Sequence, residues 1–127
     1  MLLEPNVMVF YVENVAISSH FYQDLLGIKP REDSTTFHAF ELSNGMHLAL
    51  KARDTIVPPV ENSQCHGHGE LAFVLENKQQ VDKLCAEWQA KEIDMIFLPN
   101  PVPFGYAFVA VDPDGNRLRA VSLGKES

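Results

Sequence analysis

The pentapeptide Asp112-Pro113-Asp114-Gly115-Asn116 lies between two apolar runs and constrains this chain more than any other stretch. Pro113 pre-sets a turn φ, Gly115 accepts a positive φ, and Asp and Asn side chains bond to nearby backbone groups, so the segment predicts a tight reversal. Residues 104–111 before it are apolar or aromatic apart from one glycine, and Arg117 to Leu123 after it resume as a strand. A β-hairpin over 101–121 is therefore expected near the end of the chain. Strand alternation puts Arg117, Arg119 and Val121 on one face of it, and Leu118 and Ala120 on the other.

The remaining elements fall into two similar halves. Asn6 to Val12 is nearly continuously apolar and reads as a strand buried on both faces. Asn14 is placed to cap a helix over Val15 to Leu26, with Ile17, Phe21 and Leu25 on its apolar face. Gly27 and Pro30 end that helix. Thr36 to Leu42 and Met46 to Ala52 read as strands joined by Ser43-Asn44-Gly45, an Asn-Gly hairpin turn. After a loop-like segment with Pro58-Pro59 the order returns: a strand over Glu70 to Leu75, a cap at Asn77, a helix over Lys78 to Lys91 and a short strand over Ile93 to Leu98. That helix carries Val81, Leu84, Cys85 and Trp88 on one stripe, and the opening hairpin follows. The modules span about 6–52 and 69–123, with a linker at 53–68, and the repeat is one of element order rather than residue identity.

Composition narrows the function. Net charge is −7 and no basic stripe occurs, which disfavours nucleic acid as a partner. The apolar runs fall well short of the ~20 residues of a membrane span, and no secretory leader pattern is present, so no membrane association and a cytoplasmic location are expected. Two cysteines, Cys65 and Cys85, imply no disulfide framework.

Val12-Glu13-Asn14-Val15 leading to Phe21-Tyr22 and Leu26-Gly27, followed at a distance by Asp112-Pro113-Asp114-Gly115-Asn116, resembles the vicinal-oxygen-chelate superfamily: glyoxalases, bleomycin-resistance proteins and extradiol dioxygenases. The resemblance runs from about 6 to 123. It implies an α+β fold of two βαβββ modules forming a cup-shaped, eight-stranded incomplete barrel with the helices outside, in a homodimer that is either swapped or unswapped. The metal-ligand positions of the family fall here on Val7, Ala49, Glu70 and Arg119. Two of these are aliphatic and one is a fixed cation, so neither a metal nor another cofactor is expected. Thr36-Phe37-His38-Ala39, Arg53 to Pro58, Ala86-Glu87-Trp88 and Pro103-Phe104-Gly105 are similar to stretches of the small bleomycin-resistance-type binding proteins. That likeness implies an antibiotic-resistance role, sequestering a small aromatic or drug-like ligand between the rings of Phe37 and Phe104, without catalysis.

The expected ligand-binding residues are thus Phe37, His47, Glu70, Phe104 and Arg119. Glu70 and Arg119, both at former ligand positions, are expected to pair with each other, leaving the possibility that an arginine of the cup forks onto a ligand carboxylate or phosphate. His47 shares the facing of Ala49. The rival is a metal-dependent lyase, isomerase or dioxygenase with an atypical set drawn from His66, His68, Glu70 and His47. Against it, side chains two apart on a strand stand about 6.5 Å from each other, which is long for chelation. A third alternative uses Glu70 as a base and Arg119 as an electrostatic stabiliser.

Overall fold

Helix caps and the closing turn are written locally in this sequence, and they set the element order. The computed structural model describes residues 5–55, 69–103 and 105–124. The chain divides into two compact units, Met1–Cys65 and His66–Ser127. The first holds β1 (Val7–Val12), α1 (Val15–Leu26), β2 (Glu32–Asp33), β3 (Phe37–Glu41) and β4 (His47–Ala52), followed by a 3-10 turn at Arg53–Thr55. The second holds β5 (Glu70–Leu75), α2 (Lys78–Ala90), β6 (Met95–Val102), β7 (Gly105–Val111) and β8 (Arg117–Leu123). Each is therefore a βαβββ unit, and the fold is α+β. The sheets have matching orders, β1-β4-β3-β2 and β5-β8-β7-β6. In each, the first strand runs parallel to the last and the other pairings are antiparallel. Of the expected linker, residues 56–68 lie outside the described residues.

Both helices begin where an asparagine can cap them. Asn14 Oδ1 accepts from Ile17 N at 3.0 Å, and Asn77 Oδ1 accepts from Gln80 N at 2.8 Å. α1 buries a different stripe from the one its apolar residues suggest. Val15, Ser18, Ser19 and Tyr22 are buried, while Ile17 is 58% exposed. Ser19 tolerates burial because its hydroxyl lies 2.6 Å from His38 Nδ1 on β3 and also accepts from Gln23 Nε2. β1 is not buried on both faces as expected: Phe10 and Val12 pack toward α1, but Val7, Val9 and Tyr11 are exposed on the other face of an edge strand.

In the second unit α2 lies on the β5-β8-β7 face through Val81, Cys85 and Trp88. The Trp88 indole meets Phe73 and Phe108 edge-on, with ring centroids 5.7 and 5.3 Å away. Such tilted pairs add about 0.5–1.5 kcal/mol each beyond area burial. The Tyr106 hydroxyl donates to Asp82 on α2 at 2.8 Å, and that bond, together with desolvation and the Asp82 charge, raises the phenol's pKa. β6 runs to Val102 rather than stopping at Leu98. Pro99 and Pro101 do not break it because it is an edge strand, and its ladder to β7 is irregular between Met95 and Asn100.

The turn between β7 and β8 matches its sequence. Asp112 is buried; its Oδ1 accepts from the backbone N–H groups of Asp114 and Asn116, and its Oδ2 from Asn116 Nδ2. At the other end of this hairpin, a Cβ on Gly105 would stand 2.0 Å from the Ser122 carbonyl oxygen. The clash is with β8 backbone rather than a flexible side chain, so the strands must part to relieve it, and Gly105→Ala should strongly lower the midpoint of a urea melt followed by circular dichroism. Asn77→Ala should cost about 1 kcal/mol in the same assay. The raised folded-state pKa of Tyr106 means its contribution is whole below the unfolded value near ~10 and is lost as pH rises through the folded one. Tyr106→Phe should therefore lower stability by less than about 1 kcal/mol at pH 7, and the gap to wild type should close in alkaline melts.

Candidate ligand-binding site

The pairing of β8 with its neighbours determines what faces away from α2. Leu118 and Ala120 are fully buried, Ala120 in register with Phe73 and Phe108. Alternation then turns Arg117, Arg119 and Val121 to the opposite face, the one away from α2. Cross-strand register places Ala72, Arg119, Val109 and Phe97 in one row, with Glu70, Arg117 and Val111 in the next. A groove of about 290 Å³ opens here, lined by Ile96, Phe97, Val102, Val109, Arg117 and Arg119. Its floor is apolar and its rim carries two guanidinium groups.

Glu70 and Arg119 are brought together as expected. Arg119 Nε donates to Glu70 Oε2 at 3.1 Å. The side chains keep 21% and 39% of their surface, so solvent screens the pair, and it is worth no more than about 1 kcal/mol. Its larger effect is on charge: Arg119 is neutralised, and Glu70 is drawn away from its register partner Arg117.

In the first unit, Phe37 and His47 share the face turned away from α1. Phe37 is in register with Lys51, and His47 with both Val7 and Glu41. They sit at opposite ends of the β3–β4 ladder, about 13 Å apart along the strands. His47 lines a polar groove of about 410 Å³ with Arg31, Glu32, Ala39 and Glu41, in which Arg31 and Glu41 form an ion pair. Phe104 lies outside the described residues, as do His66 and His68. The groove residues Ile96, Phe97, Val102 and Val109 are not legible as site residues from the sequence. For Phe97 and Val109 the signal is register with Arg119, and the irregular β6–β7 ladder hides it.

The donor chemistry of the family's four metal positions does not fit a divalent ion. Val7 and Ala49 offer no donor atom. The one carboxylate, Glu70, is already engaged by the guanidinium of Arg119. Among the described residues no three His, Cys, Asp or Glu side chains gather in a group able to hold a metal ion. No described helix is long and apolar enough to cross a membrane.

Two βαβββ units, each with its helix on one sheet face, and a guanidinium–carboxylate pair at two former ligand positions define a glyoxalase-type fold without the familiar metal ligands. The chain belongs to the Glyoxalase/Bleomycin resistance protein/Dioxygenase superfamily, whose model matches residues 5–120. A phenazine antibiotic resistance protein, EhpR, from Enterobacter agglomerans is 29% identical over 124 residues, covering 95% of this chain and 93% of that protein. The solution structure of protein ATC0852 from Agrobacterium tumefaciens is 41% identical, with a TM-score of 0.82 over 98% of this chain and 100% of that one. A glyoxalase/bleomycin resistance protein/dioxygenase from Nocardioides shares the fold at 18% identity, with a TM-score of 0.85 over 100% of this chain and 89% of that one.

A double-mutant cycle with Glu70→Gln and Arg119→Gln should give a coupling energy of about 0.2–1 kcal/mol in chemical denaturation, shrinking as salt is raised.

Proposed function

We propose that this protein binds a planar, partly apolar, drug-like compound and acts by sequestering it, as an antibiotic-resistance protein does. The observation that carries this reading is the groove on the face of the second sheet turned away from α2. Phe97, Val109, Val102 and Ile96 give it an apolar floor for a flat ring system, and Arg117 and Arg119 give it a polar rim to orient the ring. The resistance relative from Enterobacter agglomerans supports the same role. Tight binding is all that sequestration needs, and nothing in it calls for a Lewis acid.

The groove lies at the lower end of the ~300–1,000 Å³ usual for small-molecule sites, so a tricyclic compound would be only partly enclosed by it. We propose that Phe37 and Phe104 act as stacking rings for the ligand and that His47 supplies a polar contact. We also propose a homodimer, supported by the exposed Val7, Val9 and Tyr11 on the edge strand β1.

Isothermal titration of the purified protein with a panel of planar tricycles, phenazine first, tests this function. Micromolar or tighter binding to at least one, weakened about tenfold or more by Phe97→Ala at the 37% exposed groove ring with the fold retained by circular dichroism, is the expected result. No heat with any member of the panel would refute it. Trp88 is an unsuitable reporter because it is buried on the helix side of the sheet. For the dimer, light scattering coupled to gel filtration should give about 28 kDa, twice the 14.2 kDa chain.

A further inference from the structure

The two arginines of the groove are not equivalent. Both belong to β8 and stand two residues apart on one face, roughly 6.5 Å from each other. Arg119 spends its charge on Glu70. Arg117 does not: among the described residues no carboxylate lies within ion-pair distance of it, although Glu70 is its direct register partner on β5. It is exposed and lines the apolar groove beside Phe97 and Val109.

The placement runs against the overall charge of the chain. At a net charge of −7, with only four arginines in the sequence, two are gathered at one groove, and of those two only Arg119 meets a carboxylate among the described residues. The groove therefore carries one uncompensated positive charge over an apolar floor. A neutral ring system would leave that charge unused, and a cationic one would be repelled by it. A guanidinium presents parallel N–H donors that match the two oxygens of a carboxylate.

We infer that the ligand class is a planar aromatic carboxylate, its ring on Phe97 and Val109 and its carboxylate on the Arg117 guanidinium. This rests on the groove being the ligand site. Glu70 acts as a positioning residue: it holds Arg119 in place and leaves Arg117 as the anion receptor. No covalent step is involved.

The test is a calorimetric comparison of phenazine with phenazine-1-carboxylate on wild-type protein, Arg117→Gln and Arg117→Lys at low and moderate salt. Thermal melts confirm that each variant is folded. Wild type should prefer the carboxylate by about tenfold or more, with the preference shrinking as salt rises. In Arg117→Gln the two affinities should come within about twofold of each other. Arg117→Lys should retain part of the preference, since it keeps the charge but loses the fork. Equal binding of both probes by wild type, or a preference that survives Arg117→Gln, overturns the carboxylate assignment and leaves the drug-binding function standing. Failure of both probes to bind wild type overturns the carboxylate assignment, while the drug-binding function falls only if the rest of the tricycle panel fails as well.

Discussion

Leu118 and Ala120 are buried without remainder on the side of the second sheet that Trp88 packs against, and that burial dictates where Arg117 and Arg119 point. A strand has a period of two. Slipping β8 by one residue would bury two guanidinium groups under α2 and expose Leu118 and Ala120, and the desolvation alone would cost several kcal/mol per charge. Trp88, wedged edge-on between Phe73 and Phe108, holds the helix to this register, and the Asp112 turn and the close approach at Gly105 pin the two ends of the hairpin. The facing of the groove residues is therefore a consequence of the core behind them.

From this arrangement follows the departure from the fold's metal chemistry. A glyoxalase-type unit can place side chains at fixed points of its inner faces whatever their identity. Here those points hold two aliphatic side chains and an Arg119–Glu70 pair. The pair contributes little to stability because both side chains remain partly solvated. It also sets the charge of the groove: Arg119 is paired, no carboxylate among the described residues pairs with Arg117, and the floor between β6 and β7 is apolar. Such a surface suits the proposed holding of a flat molecule, and its described residues gather no group able to hold a metal ion.

Much of this was legible in the residues. Asn14 and Asn77 cap the helices as their sequence positions suggest, because capping is decided within one turn of chain. The Asp112–Asn116 turn and the facing of Arg117 and Arg119 are equally local. Features that depend on tertiary partners were not legible. Ser18 and Ser19 take the buried stripe of α1 in place of Ile17, because His38 reaches over from β3 to satisfy one hydroxyl. β2 is two polar residues at a sheet edge and has no pattern to detect. β6 continues through two prolines because an edge strand needs fewer donors, and its irregular pairing is what brings Phe97 into the row of Val109 and Arg119. The apolar half of the candidate site thus depended on a register that no spacing rule could supply.

The central claim is that this groove binds its ligand through a guanidinium and apolar side chains in place of a metal. Titrating the same planar tricyclic carboxylate into chelator-stripped protein, and into protein reloaded with zinc, nickel or manganese, tests it most directly. The account predicts the same affinity in every preparation. Binding that appears only after a divalent ion is restored, at one ion per chain, would contradict it.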